Sequence, residues 1–515
     1  MKKKIGWARV WGVIGTLWVV MGTTFVSDAA EPEKRNPRNS DVAAIQPQMR
    51  YLENDRVKVG IDLSVGGAVT FLADKSDANE NGELLNMINS CDWGRQIQLS
   101  YYSGPNPFIG PNGEEPTPSW AGLGWNPIQA GDAGGYPSVV TRFEFIEGPE
   151  PGERSMVVEC IPKQWPHYNV PGDCTFQCLY TLRNEENAFR LRATIRLNRL
   201  DHTQYTGRSQ EMPALYTNGP WYKLVTYQGE RPFENQPLRT LVQKGDGKGW
   251  PWVQAYIPER WAALVNDAGM GVGVYQPDSM YMTAGFHPGD VGKGVGGPKD
   301  GQTGYIAPLS STILDWNGES TYDAFFIVGS LDEIREFVYD RAPHEASTRW
   351  VFANDRQHWV YEGMTDAGWP ISEALVFSPR SQPGVLVGPR TFWRAESRKT
   401  LELEIAAQPT PGTNGERGED GETQGLEIAA NITPVRWTDC VDTYDAARAK
   451  ERGEHAGESE RSVAAIPISI PVDGQFHVVR VELDGIAGYT GAMKQLRLTL
   501  PAWNAEVRIK RVEIK

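Results

Sequence analysis

The stretch 92–102, DWGRQIQLSYY, is dense in hydrogen-bonding and aromatic side chains. In an extended strand, side chains alternate between two faces. That reading puts Asp92, Gln96, Gln98, Ser100 and Tyr102 on one side, and Trp93, Arg95, Ile97, Leu99 and Tyr101 on the other. A row of Asp, Gln, Gln and Tyr is costly to bury unpartnered and suits a ligand rich in hydroxyl groups. A solvated edge strand gives the same pattern.

A Gly-rich, non-periodic segment follows at 120–132, with Trp120 and Trp125 placed to make a stacking wall and Asn126, Gln129 and Asp132 as hydrogen-bonding groups. A packed Ω-loop and a binding loop both fit such a segment. The third segment, 205–222, sets Glu211 among Arg208, Gln210 and Pro213, with Tyr216, Trp221 and Tyr222 beyond. Arg208 beside it would lower the Glu211 pKa and favour a base or nucleophile, whereas apolar surroundings would raise it towards an acid. A structural Arg208–Glu211 pair is the plainer alternative.

Asp92 and Glu211 together form a candidate catalytic pair. Glycosidases place two carboxyls about 5 Å apart for retention or about 6.5–9.5 Å for inversion. Substrate contacts then fall to Trp93, Arg95, Gln96, Gln98, Tyr101, Tyr102, Trp125, Asn126, Gln129, Arg208, Gln210 and Tyr216. A polysaccharide lyase would instead draw its base from Tyr101, Tyr102, His167 or His202, with Arg95 or Arg208 neutralising a uronate. An aldose epimerase would need a His acid, His167 or His202, with a carboxylate base.

No metal site is expected, with one calcium candidate. Asp77, Asn79 and Asn81, followed by Gly82, match the first half of a calcium loop. The twelfth position is Ile88 where an EF-hand requires Glu, and a turn between strands explains the motif as well. The run 285–304 lacks the strand-to-helix context and Gly-Lys-Ser/Thr ending of a phosphate loop. It reads as a flexible loop, a possible lid carrying His287 and Lys299.

The elements that must hold these residues are short alternating strands. Arg56–Asp62 alternates, Gly66 and Gly67 turn, and Ala68–Leu72 returns. Similar strands are expected at 141–146, 156–161, 175–182, 189–197, 261–265, 272–275 and 321–328. The best helix is 331–341, with Leu331, Ile334 and Val338 on one face and a capping box from Ser330 to Glu333. Further strands are expected at 401–406, 426–432, 465–470, 477–483, 495–500 and 507–514, interrupted by hydrophilic insertions at 409–425 and 442–462. The organisation predicted is a signal peptide at 1–30, a linker at 31–49, and β domains at 50–345 and 350–515.

Composition narrows the partners. The chain has 515 residues, a formal net charge of −14, 18 Trp and 5 Cys. An acidic balance argues against nucleic acid, which needs a concentrated basic face. Lys2, Lys3, Lys4 and Arg9, then the apolar run 10–22 and Ser27–Ala30, have the layout of an export signal. A secreted or periplasmic location follows, with no stable membrane insertion after cleavage. Disulfides are then permitted. Cys174 and Cys178 on one strand lie about 13 Å apart, so Cys160 with either of them is the reasonable bridge; free thiols are the alternative, and Cys91 and Cys440 stand apart.

The opening hairpin, ENDRVKVGIDLSVGGAVTFLAD, resembles the start of galactose-mutarotase-like β-supersandwich domains. The segment DGQFHVVRVELDGIAGYTGAMKQLRLTLPAWNAEVRIKRVEIK resembles the end of a carbohydrate-binding-type jelly roll. Together they imply an all-β protein, a large antiparallel supersandwich followed by a jelly roll, with carbohydrate as ligand. The function expected is a secreted enzyme cleaving glycosidic bonds, with a non-catalytic glycan-binding protein or a lyase as alternatives.

Overall fold

The computed structural model describes residues 45–147, 152–241, 253–287, 301–409, 427–437 and 463–515. The expected signal segment, Cys440, Lys299 and most of both hydrophilic insertions lie outside the described residues. The chain is antiparallel β throughout, with one α-helix, Leu331–Arg341, among the described residues. No described helix is long and apolar enough to cross a membrane.

Two sheets are built from residues before the helix. The first has ten strands, and eight of them form its main path: β1 Met49–Glu53, β2 Val57–Asp62, β3 Ala68–Asp74, β4 Ile97–Ser100, β5 Arg208–Asn218, β6 Val253–Tyr256, β7 Tyr281–His287 and β8 Thr303–Thr312. Their spatial order is β1-β2-β3-β4-β5-β8-β7-β6. The second sheet has nine strands, with Met270–Tyr275, Glu319–Ser330, Ala188–Leu197 and Cys174–Arg183 at its centre. Between them lies a dry core: Ile61, Leu72, Ile97, Leu215 and Ile306 from the first sheet meet Phe176, Leu191, Val274 and Phe326 from the second. Alternation does this work, because every second residue of a strand faces inward.

The opening hairpin forms where its sequence predicts. Gly66 and Gly67 have φ of 63° and 73°, a left-handed conformation that glycine adopts without a Cβ clash. The helix forms over the expected residues, with Ser330 and Glu333 capping each other's backbone N–H. It buries Ile334, Phe337 and Val338 against Trp261, Ala263 and Ile327, on the outer side of the nine-stranded sheet. The opposite outer face, on the ten-stranded sheet, is not covered by a helix of the described residues.

Residues after the helix form a second pair of sheets, of five and six strands. Ala505–Ile514 lies inside the five-stranded sheet and Ala492–Leu500 inside the six-stranded one. Their inward residues, with Trp350, Phe352, Trp359 and Leu403, make a separate core.

Two expectations need correction. No disulfide joins Cys160 to Cys174 or Cys178, and all three are free, as is Cys91. The strand register pairs Cys160 with Phe176, so both candidate partners sit on the diagonal, about 7–8 Å away, beyond ordinary bridging distance. The second correction is at 92–102, where the strand covers only Ile97–Ser100. Asp92 Oδ1 accepts from Gly94 N at 2.9 Å, folding a turn, and Gln96 has φ of 143°. The simple alternation assumed through that segment therefore stops at Gln96.

Candidate functional site

The outer face of the ten-stranded sheet is shaped by one extra residue in β5. Glu211 pairs with Leu309 and Leu215 with Ile306, so β5 spends four steps where β8 spends three. The same one-residue excess appears against β4. This is a β-bulge, the place in a central strand where proline is tolerated, and Pro213 occupies it. Its effect is directional. Glu211 and Tyr216 are five residues apart and would point to opposite faces of a regular strand. With the bulge, Met212 and Leu215 enter the core while Glu211, Ala214 and Tyr216 share the outer face.

Around Glu211 the site closes with hydroxyl groups. The Tyr305 hydroxyl donates to Glu211 Oε1 at 2.6 Å, and the Tyr102 and Ser100 hydroxyls donate to the same carboxyl. Tyr305 lies on β8 and Ser100 on β4, the strands flanking β5. The Tyr216 ring packs on that of Tyr305 at 4.7 Å between centroids. Glu211 has no cationic partner among the described residues. Burial therefore raises its pKa, and the three hydroxyl bonds oppose that shift without cancelling it. Burial and the Glu211 charge likewise push the phenols of Tyr102 and Tyr305 well above the usual range, so both stay protonated and act as donors.

The contrast with Glu259 is informative. That carboxyl is fully buried, yet it meets Arg335 at 2.9 Å, the Tyr339 hydroxyl at 2.6 Å and the Trp261 indole at 3.0 Å. Such saturation describes a structural ion pair. Glu211 retains a solvent-facing edge and lacks the cation. Replacing Tyr305 with Phe removes one donor to the carboxylate, so the Glu211 pKa is expected to move higher still. A carboxyl NMR titration checks this; an unmoved or lowered titration contradicts the assignment of Tyr305 as its main donor.

Of the residues singled out in the sequence, Glu211, Tyr102 and Tyr216 come together, with Arg208, Gln210, Asp92 and Arg95 around them. Arg208 does not pair with Glu211. It donates to the carbonyls of Ser103 and Leu123 and lies 5.5 Å from the Tyr102 ring centre. Gln210 is buried and clamps the Tyr102 backbone through both ends of its amide, at 2.7 and 2.9 Å. Asp92 is half exposed and pairs with Arg95 at 3.2 Å, and Arg95 also holds the Gly301 carbonyl at 2.9 Å. The charges of Asp92 and Glu211 both act on the Tyr216 phenol, which raises it, second to burial.

The other candidates are occupied by the fold. Gln96 and Gln98 are buried, donating to the carbonyls of Asp92 and Trp93. Trp125 is 0 % exposed and donates to Asp173 at 2.6 Å, with Arg199 stacked on it. It therefore offers no wall to a ligand. Asn126 and Gln129 are buried against the backbone at Tyr101 and Gly66. Trp93 donates to Gly135 and packs on Val65 and Ala68, and Tyr101 faces the core beside Phe176. Asp132 accepts the backbone N–H groups of Gly134, Tyr136 and Asn169, while burial still lifts its pKa to about 6. The loop 120–132 is thus packed, with Trp120 exposed at its edge against Trp165.

Neither histidine suits an acid at Glu211. His167 is buried against the Phe108 carbonyl, and His202 stacks on Trp316. In the calcium candidate, the Asn79 side-chain oxygen accepts the N–H groups of Asn81 and Glu83, closing a turn. Among the described residues, no three His, Cys, Asp or Glu side chains group as metal ligands.

Pattern reading missed Tyr305 and Tyr281. Both belong to strands whose outward residues, Tyr305, Ala307 and Leu309 at spacing two, form a small apolar cluster with Ala214, Tyr216 and Tyr281. That spacing is the signal that could have found them.

No protein-family model matches the chain, and no curated protein matches it. Among solved structures, it is similar to a galactose mutarotase related enzyme from Lactobacillus acidophilus, at 13% identity over 55% of this chain and 98% of that one, TM-score 0.32. An alpha-galactosidase from Lactobacillus brevis is similar at 8% identity over 57% of this chain and 41% of that one, TM-score 0.34. A protein from Synechocystis sp. PCC 6803 is similar at 12% identity over 56% and 99%, TM-score 0.34.

Proposed function

We propose that this protein acts on carbohydrate at the outer sheet face around Glu211, cleaving a glycosidic bond with Glu211 as the proton donor. One observation carries the reading: a part-buried carboxyl without a cation among the described residues, its pKa raised by burial, bonded by tyrosine and serine hydroxyls on the outer face of the ten-stranded sheet. A raised carboxyl keeps its proton nearer neutral pH and can deliver it to the leaving glycosidic oxygen. The Tyr102, Tyr305 and Ser100 hydroxyls then stabilise the carboxylate that remains. Asp92, paired with Arg95, is the second carboxylate of the scheme, as nucleophile or as base for water. The part-buried Tyr216 ring, packed on Tyr305, adds apolar surface beside the carboxyl.

The same geometry disfavours a lyase. A lyase base must give up its proton, and Tyr102 is held protonated by burial and by the neighbouring Glu211. We read the segment 1–30 as an export signal and the second pair of sheets as a carbohydrate-binding jelly roll, which would bring a polymer to the first site. The scheme uses side chains alone.

The test is to incubate the purified chain with a panel of neutral and acidic polysaccharides, measuring new reducing ends and unsaturated products. Reducing ends without unsaturated products support the scheme. Binding without products assigns a glycan-binding protein instead, and unsaturated products a lyase. Activity unchanged in Asp92→Asn or Glu211→Gln removes that residue from the scheme.

A further inference from the structure

The rung of the sheet that carries Glu211 continues across it. Ser100 pairs with Glu211 and Glu211 with Leu309. Met282 pairs with Pro308, which sets Tyr281 beside Leu309, and Tyr281 pairs with Tyr256. Paired residues project from the same face, and strands are spaced about 4.8 Å apart, so Tyr281 stands about 10 Å from Glu211 and Tyr256 about 15 Å. Tyr281 packs in the same apolar cluster as Tyr216 and Tyr305.

At that end, the second pair of sheets leans over the rung. The Arg390 guanidinium lies 4.1 Å from the Tyr281 ring centre, and the Lys494 ammonium 4.9 Å from that of Tyr256. Trp437 packs on Tyr256 at 4.9 Å. Lys494 is only 7 % exposed. Neither cation has a carboxylate partner among the described residues, although most arginines of the second sheet pair do, Arg394, Arg398, Arg480, Arg497 and Arg511 among them.

The Lys494 stem is buried while its ammonium, set against the Tyr256 ring, has no counter-anion among the described residues. A stacked guanidinium leaves its N–H edges free, and those edges match an oxyanion in two-point geometry. We propose that Arg390 and Lys494 form a subsite for a negatively charged group on the sugar, a uronate carboxylate or a sulfate ester, one or two residues along the chain from the bond at Glu211. This rests on the Glu211 reading for its position and adds the substrate class: an acidic glycan.

Calorimetric titration of the full chain with two matched pairs of tetrasaccharides tests it. One pair is tetragalacturonate and its methyl ester; the other is a sulfated galactan tetrasaccharide and its desulfated form. Wild type should bind at least one charged member about 10- to 100-fold more tightly than its neutral match, and the favoured pair identifies carboxylate or sulfate. Lys494→Met and Arg390→Gln should each erase most of that preference while leaving neutral binding within about twofold and thermal melting unchanged. Equal binding of charged and neutral members by wild type overturns the subsite, as does equal loss of both in the variants. Arg390→Gln, at a half-exposed position, keeps the test open if Lys494→Met does not fold.

The two readings fail separately. Turnover that is lost in Glu211→Gln but indifferent to substrate charge overturns the subsite alone. Charge-selective, Lys494-dependent binding with no turnover of any oligosaccharide keeps the subsite and overturns the role of Glu211.

Discussion

Glu211→Gln is expected to lower glycosidic turnover by about 10²–10⁴-fold, the range removed with a general acid or base. The substitution keeps side-chain shape, and its amide oxygen can still accept from Tyr305. Substrate binding should therefore hold, placing the loss in kcat and not in KM. The pH–rate profile gives the second reading. A group that must be protonated contributes a limb that falls as pH rises through its pKa. Because burial raises the Glu211 pKa, that limb should lie above the ordinary carboxyl range in wild type and vanish in the variant.

Stability should move the other way. A carboxyl whose pKa rises on folding contributes stability that is full below its unfolded value and lost as pH climbs through the folded one. At neutral pH the ionised Glu211 is thus a net cost to the fold. Gln carries no charge, so the variant should melt higher than wild type near pH 7, and the gain should shrink at acid pH. A variant that is both more stable and inactive marks a carboxyl kept for chemistry. One that is less stable at neutral pH assigns Glu211 a structural role.

The parts of this architecture that sequence pattern reveals are those governed by local periodicity. Thr321–Phe326 and Cys174–Tyr180 alternate, since one face meets the core and the other is less buried. The helix declares itself through its cap. The central site strand does not, because Pro213 and the bulge break the period of two where Glu211 is placed. Glu211 is visible as a carboxyl among polar neighbours, yet its partners are remote: Tyr305 lies 94 positions further along the chain. Burial misleads in the other direction. Gln98, Gln129 and Trp125 have side chains that suit a sugar, but backbone carbonyls and Asp173 take their hydrogen bonds inside the fold. Composition cannot distinguish a polar group that serves the fold from one that serves a ligand.

Arg356→Met is expected to have the largest effect on stability, because it uncovers two buried carboxylates at once. Arg356 stands after the helix. It donates to Asp315, on the other side of the junction between the two sheet pairs, at 2.6 Å, and doubly to Asp366 at 2.7 Å. The side chains of Asp315 and Asp366 are 2 % and 0 % exposed. Gln204, from the first sheet pair, bonds both, and the Tyr361 hydroxyl bonds Asp366 at 2.9 Å. Breaking a buried pair from one side typically costs about 3–5 kcal/mol, since the charge left behind is neither solvated nor paired. For a chain of 515 residues melting as one unit, that corresponds to a fall in Tm of about 3–5 °C, read by scanning calorimetry. The response to pH separates this cause from simple loss of packing. In wild type, burial would raise the Asp366 pKa, but the bonds and charge of Arg356 outweigh it and hold the carboxyl below its usual range. Stability from Asp366 is therefore present above its unfolded pKa and lost as pH falls through the folded one. Without Arg356 only the Gln204 and Tyr361 bonds oppose burial, the Asp366 pKa rises, and stability should increase as pH falls from 7 to 5. A variant with the wild-type pH slope would show that Arg356 holds the junction by shape, and that its charge is incidental.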